Sequence, residues 1–254
     1  MLTKDYVIGR GPLFFNKFIQ GTETPTGERY LGNSPALTQT STYQDLPHYT
    51  SDQEVREMDD NFTLQTDRGG TFTLDNGSIE NIGLMFGSDP IPETATAATA
   101  QTDTLTDVKL GYWYQLGTTS DTPDGISNVS NVVVTKGVTP VAEDVNFTLD
   151  EDNGRLYLLP SAVDVDEGDD LTVTFDIVAG ETTLVIEEGH QVEGSLRFIA
   201  TNPKGRNKNY FYPRVRVQPT GDFAIKGEQW QLMTFQFAVL TPTDGRKRVY
   251  VREV

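Results

Sequence analysis

The chain has 254 residues, a formal net charge of −17 at pH 7 and no cysteine. Without cysteine it has neither a disulfide framework nor a thiolate metal site, and so acidic a chain is a poor candidate for gripping phosphate backbones. No run of eighteen apolar residues occurs, and the opening MLTKDYVIGRGPLFFNKF lacks a continuous apolar stretch and a small-residue cleavage site, so the expectation is a soluble protein with no membrane partner and no secretory signal.

Residues 6–19 hold a first strand, with Phe14, Phe15 and Phe18 behind Gly9, Gly11 and Pro12. A Gly/Thr/Pro loop over 21–27 leads to a strand begun by Tyr30 and Leu31, interrupted by Gly32-Asn33-Ser34-Pro35 and resumed over 36–40. Glycine and proline inside a strand predict a bulge or an exposed edge. The polar stretch 41–53 reads as a connection, long for a loop in a compact domain. Its Tyr43, Asp45, His48 and Tyr49 are candidates for contact with another molecule.

Residues 54–86 are the most strongly patterned. Phe62 and Leu64 lie two apart, as do Phe72 and Leu74, so each pair predicts one buried face of a strand. Asp67-Arg68-Gly69-Gly70 between them predicts the tight turn of a hairpin. After Asn76-Gly77-Ser78 the period lengthens. Ile79, Ile82 and Met85–Phe86 recur every three to four residues, which predicts a short helix capped by Ser78 or Asn76 and stopped by Gly87 and Pro90. No other segment has a helical period, so the expected class is all-β with one short helix.

Residues 88–107 are small and polar, a connection followed by an exposed strand. The stretch 108–116 reads as a dense strand with Leu110, Trp113 and Leu116. Further strands are expected over 129–135, 145–149, 155–159, 171–177 and 183–186, with a solvated acidic tip at 164–170. Towards the end, Val215 and Val217 alternate with Arg214 and Arg216 in a half-buried strand, and Phe223 and Ile225 begin a short one. The last long strand carries Trp230 and Leu232 on one face and Met233, Phe235, Phe237 and Val239 on the other. It is expected to be central or covered by a partner. Residues 246–254 form one more candidate strand. The core anchors expected from these patterns are Phe62, Leu64, Phe72, Leu74, Ile79, Ile82, Phe86, Trp230, Leu232 and Phe235.

Site chemistry is sparse. His48 and His190 lie in polar segments, and there is no G-x-S-x-G elbow, HExxH or phosphate loop, so no catalytic, metal or cofactor residues are assigned. Asp150-Glu151-Asp152-Asn153-Gly154 resembles the start of a calcium loop, but Arg155 stands where glycine is needed and Ser161 where glutamate is, which favours a β-turn. Lys204, Arg206 and Lys208 before Tyr210–Tyr212 resemble a single-strand nucleic-acid pattern, against the acidity of the whole. Charge is uneven: fifteen acids face one arginine over 141–193, and eleven basic residues face four acids from 194 on. Two complementary patches on one chain suggest copies that meet head to tail, as rings and filaments require.

Three blocks together resemble the major tail tube proteins of long-tailed, siphovirus-type bacteriophages: GRGPLFFNKF with TPTGERYLGNSPALT, then EVREMDDNFTLQTDRGGTFTLDNGSIENIGLMF, then YPRVRVQPTGDFAIKGEQWQLMTFQFAVL. Asp75-Asn76 at the helix start and Gly227, Trp230 and Leu232 near the end follow that family's order, and NFTLDEDNGRLYLLP resembles its middle strand–turn–strand. Residues 88–137 have no counterpart and are the place for an insertion in an otherwise single domain. The resemblance implies a β-sandwich or partial barrel flanked by a helix. It also implies homo-hexameric rings stacked into a tube around a closed inner β-barrel, with no enzymatic activity and no cofactor. It implies assembly in the host cytoplasm, residence in the virion tail, and partners in tape-measure, tail tip or initiator, and terminator proteins. Six subunits of four tilted strands, ~4.8 Å apart, close at a backbone diameter of roughly 45–50 Å. That leaves room for transient passage of DNA. In this frame Glu54, Glu57 and Asp59 are the candidates for an acidic lumen, and 41–53 reaches the next ring. The relatives in type VI secretion and contractile tails are alternatives within the same reading. The competing reading is a β-sandwich binding module, adhesin-like or carbohydrate-binding, which requires exposed aromatics such as Trp113 to form a platform.

Overall fold

The computed structural model describes residues 6–52 and 54–254. The chain folds as two compact units, one running to Pro90 and resuming over Val185–Val254, the other Ile91–Leu184. Residues 88–137, where an insertion was expected, thus belong largely to a unit that extends well beyond them.

The first unit opens with β1 (Leu13–Lys17), β2 (Arg29–Tyr30), β3 (Ala36–Tyr49) and β4 (Met58–Leu74), followed by α1 (Ile79–Phe86). The second contains β5 (Ile91–Ala95), β6 (Ala98–Leu105), β7 (Trp113–Gln115), β8 (Val129–Lys136), β9 (Thr139–Val141), β10 (Phe147–Asp150), β11 (Arg155–Leu158), β12 (Leu171–Ile177) and β13 (Gly180–Leu184). The first then resumes with β14 (Val192–Phe198), β15 (Lys208–Pro219), β16 (Met233–Val239) and β17 (Tyr250–Glu253). Among the described residues the class is all-β with one short helix.

In the first unit eight strands form one antiparallel sheet in the order β2-β1-β14-β15-β16-β4-β3, with β17 beside the start of β15. Among the described residues the sheet does not close on itself; β2 and β3 are the two ends of its strand order, and β17 pairs only with β15. It is strongly curved. The Tyr212 hydroxyl on β15 donates to Gln39 Oε1 on β3 at 2.8 Å, although the two strands are three places apart, about 14 Å along a flat sheet. Burial, and then the nearby Tyr210, pushes the Tyr212 phenol up to about 12, which keeps it a donor.

Alternation sorts the faces. Met233, Phe235, Phe237 and Val239 of β16 enter the core with Phe72, Leu74, Leu13, Phe15, Leu196, Val215 and Val217, while Leu84 of α1 covers them. The opposite face carries Thr38, Thr71, Gln236 and Gln218 in one row across four strands. The helix forms where expected: Ser78 Oγ accepts from the Asn81 amide, and Gly87 closes it at φ 65°. Asn81, fully buried, donates to the carbonyls of Leu31 and Asn76 and so ties the helix to the segments that follow β2 and β4.

Several expectations are corrected. Asp67–Gly70 is no turn, because β4 runs unbroken from Met58 to Leu74. Its glycines serve close approach: a Cβ on Gly70 would strike the Thr38 carbonyl and the Phe237 ring, and one on Gly69 the Phe237 carbonyl. Phe62 and Leu64 are therefore not core residues; Phe62 is 65% exposed. Trp230 and Leu232 also lie outside the core. Pairing of β16 with β4 ends at Met233↔Leu74, so these two residues have no strand opposite them, and Trp230 is 91% exposed. Phe86, at the helix end, is exposed, Ile79 and Ile82 are half-buried, and Leu84 takes the central place. Phe223 and Ile225 form no strand.

The second unit is a sandwich of a four-stranded sheet, β6-β12-β8-β9, and a three-stranded one, β10-β11-β7, around Val173, Phe175, Phe147, Leu156 and Leu158. The chain enters and leaves it through β5 and β13, which pair with each other. The Asp150–Gly154 segment is the β-turn expected: Asp150 accepts from the amide and side chain of Asn153, and Gly154 has φ 62°. The acidic segment is tied down at points, with Asp164 accepting from buried Asn146 and Asp169 2.5 Å from Lys136.

Replacing Phe72 with Ala is expected to cost about 3–5 kcal/mol. Gly70→Ala should cost about 1–3 kcal/mol through forced overpacking, whereas Gly227→Ala, with open space around it, should stay within about 0.5 kcal/mol. Urea unfolding of the three variants measures this order.

Candidate functional site

The support for β4 runs out before its pairing does. β16 accompanies it only from Leu74 back to Gly69, whereas β3 stays paired with it out to Tyr49↔Met58. Beyond Gly69 the two strands continue as a two-stranded arm, about 30 Å long at ~3.3 Å per residue. At its root Arg248 Nη1 makes a long hydrogen bond, 3.4 Å, to the Thr66 carbonyl. Residues 41–49, read from their polarity as a connection, are thus strand; 41–52 lie within the arm, and Gln53 lies outside the described residues.

Two bulges shape the arm. The register passes from Gln44↔Gln65 to Asp45↔Thr63, which leaves Leu64 unopposed, and from His48↔Asp60 to Tyr49↔Met58, which leaves Asp59 unopposed. A bulge re-aims its extra side chain. Here it brings the Asp59 carboxylate to His48, with Oδ1 2.5 Å from Nδ1. That hydrogen bond raises the His48 pKa and lowers that of Asp59. Asp45 accepts from the Thr63 hydroxyl at 2.8 Å, and the Arg56 guanidinium lies 5.9 Å from the Tyr49 ring centroid. The Thr50 amide donates to the Glu57 carbonyl at 2.8 Å and closes the hairpin.

The structure therefore gathers on one element residues assigned to separate places. Tyr43, Asp45, His48 and Tyr49, the candidate contact residues, stand on β3. Glu54 and Glu57, candidates for the lumen, lie at the tip, and Asp59 is in β4. Phe62 and Leu64 join them from the expected core. The arm exposes Tyr43, Leu46, Tyr49, Met58, Phe62 and Leu64 together, and Leu46 sits directly across from Phe62 on one face. Leu46 and Met58 were missed. Only the distribution of apolar side chains within a segment otherwise rich in carboxylates marks them. Between 41 and 68 seven carboxylates face two arginines.

The other candidates disperse. Tyr212 is buried and Tyr210 packs on Phe198, so neither offers a stacking face beside Lys204. Arg214, on the polar face of the sheet, bridges Glu23 and Glu193 at 2.6 and 2.9 Å, and Arg197 pairs with Glu28. Much of the C-terminal basic charge is thus satisfied within the chain. His190 pairs with Glu188, and among the described residues no cluster of three His, Asp or Glu side chains is placed to hold a metal ion.

A family model matches residues 6–248. The chain belongs to the family described as protein of unknown function UCP028589. No curated protein matches it.

The His48–Asp59 pair needs a protonated ring and an ionised carboxylate. Its contribution is present between the lowered Asp59 value and the raised His48 value, and is lost as pH rises through the latter or falls through the former. An NMR titration of the His48 ring is expected to give a midpoint above the ordinary value of about 6.5, returning towards it in Asp59→Asn. An unshifted midpoint in the unmodified chain would refute the pairing.

Proposed function

We propose that this chain is the structural subunit of a bacteriophage tail tube, six copies forming a ring and the rings stacking into a channel through which viral DNA passes. The arm carries this reading. A two-stranded ribbon with both faces in water is at best marginally stable, and one that displays Leu46, Tyr49, Phe62 and Leu64 leaves a hydrophobic surface uncovered. A second copy of the same chain is the cover: the Leu46–Phe62 face lies on a neighbouring subunit, and stacking from ring to ring repeats the contact. The ends of the strand order at β2 and β3 support the same conclusion, since ring closure removes the unpaired backbone groups that an open sheet exposes.

The sheet has one dry face, covered by α1, and one wet face of Thr38, Thr71, Gln236 and Gln218. That row of neutral hydroxyls and amides offers phosphates little to hold, and on the same face Arg214 is paired with Glu23 and Glu193 while Arg216 donates to Gln191. Carboxylates at the arm tip, Glu54 and Glu57, add repulsion within a Debye length of about 8–10 Å, joined by Asp59 wherever the His48 ring beside it is neutral, so DNA slides past without binding. The role is structural, with no chemical step and no cofactor. Its site is the virion tail after assembly in the host cytoplasm. Its other partners are the tape-measure protein within the tube and the tip or initiator and terminator proteins at its ends.

Concentrated full-length protein, with and without a tail-tip initiator complex, is expected to give rings or tubes about 100 Å wide in negative-stain micrographs, the width of about two strand layers around the barrel. The double variant Leu46→Asp, Phe62→Asp should abolish them. Its thermal midpoint should hold, because neither side chain enters the core. A chain that stays monomeric in every condition, or a double variant that still assembles, would sink the proposal.

A further inference from the structure

The three-stranded sheet of the second unit turns an unusual face outward. Alternation sends Leu156, Leu158 and Phe147 into the core and leaves Trp113 and Gln115 of β7 beside Tyr157 and Arg155 of β11. Trp113 is 46% exposed, although an indole is among the most rewarding side chains to bury. It is nonetheless held in place. Tyr157, its cross-strand partner, has its ring centroid 5.0 Å away at 35°, and the Arg155 guanidinium carbon lies 5.0 Å from the indole centroid. Gln115 beside them is fixed too, its Nε2 donating to the carbonyls of Ile126, Asn153 and Gly154.

This aromatic face borders a groove of about 940 Å³ within the second unit. Hydroxyls and amides line it at Thr118, Thr122, Ser127, Asn128, Asn153 and Thr182, interleaved with aliphatic Ile126, Ile177 and Leu184. The loop on one side is locally braced, Thr122 Oγ donating to the Gly117 carbonyl at 2.8 Å and meeting Thr119 Oγ at 2.8 Å. The ionisable groups lining it are Glu93, Asp124 and Arg155. One arginine is too little positive charge for a nucleic-acid strand, which needs a basic groove. A flat aromatic ring with neutral donors and acceptors around it suits a pyranose: the electron-rich ring face attracts the polarised C–H face of the sugar, and the rim meets its hydroxyls.

We propose that this face of the second unit binds a carbohydrate chain, with Trp113 as the stacking platform and the Thr/Asn rim as the hydrogen-bonding wall. The site depends on the second unit alone and stands whether or not the chain assembles into tubes. Arg155 and Tyr157 are positioning residues, since they hold the indole in the orientation that presents its free area.

The chain has two tryptophans, so Trp230→Phe leaves Trp113 as the sole emitter. This full-length variant is titrated with maltohexaose, cellohexaose, chitohexaose and a purified bacterial O-polysaccharide, and with a proline-rich decapeptide as the competing ligand class. Electrophoresis in gels containing each polysaccharide provides an independent readout. At least one saccharide is expected to shift Trp113 emission saturably and to retard migration. Trp113→Ala in the otherwise unmodified chain should weaken that binding about tenfold or more, with its thermal midpoint unchanged because the indole is not core. Arg155→Ala should weaken it less, and Trp230→Phe not at all. Absence of response to all four saccharides, equal binding by Trp113→Ala, or a response to the peptide alone would overturn the proposal.

Discussion

The rings of Phe72 and Phe235 stack at 5.1 Å, and Phe237 lies over Gly70, where any side chain on the neighbouring strand would collide with it. This contact fixes the register of β4 against β16, and a slip by one residue would turn every aromatic of β16 to the wet face. With the register fixed in the core, each residue further along β4 has its place set in turn. The strand leaves the sheet at Gly69 and carries Phe62 and Met58 outward as a lever rooted in the core. What the arm can touch is therefore decided by packing at its base, some 30 Å from its tip by the rise of an extended chain.

The same geometry explains which parts of the fold were legible. The helix was, because a change of period, a serine cap and a terminal glycine are all local signals within 78–87. So was the alternation in β16. Asp67–Gly70 was misread because glycine carries two meanings, positive φ and close approach, that look the same in a sequence; only Phe237, some 170 positions away, separates them. Phe62-x-Leu64 and Phe72-x-Leu74 have identical spacing, and nothing local distinguishes a face covered by its own chain from one left open. Residues 41–49 looked like a loop because a ribbon wetted on both faces has no reason to alternate. The Trp113 platform was visible only as a condition, since whether an indole in a dense strand faces in or out depends on the parity of a three-residue strand against β11.

The two units also recast the charge asymmetry. Most of the acidic excess belongs to the second unit, where Asp164 and Asp169 anchor loops. The first unit is close to balanced, 17 basic residues against 20 acidic ones, and its Arg197 and Arg214 are already paired with Glu28, Glu23 and Glu193. The basic C-terminal stretch is thus offset within the first unit by the acids of its own N-terminal part, and the two folded bodies carry charge of the same sign. The exposed apolar side chains of the first unit's hairpin, Leu46 and Phe62 among them, lie on the arm.

An exposed apolar ribbon is also an aggregation hazard, and the arm carries the usual defences against indiscriminate pairing. Pro47 removes a backbone donor from the free edge of β3. Two bulges break the regular ladder and increase its twist, and the carboxylates from Asp45 to Asp67 repel a second arm laid alongside. These devices act on edge-to-edge pairing, which any strand can offer. They leave the Leu46–Phe62 face untouched, which only a surface of matching shape can cover. Under the assembly proposed above, a subunit built this way would stay apart from its copies in random encounters and join them only where the complementary surface is presented, which is the discrimination that ordered assembly from a crowded pool of identical chains requires.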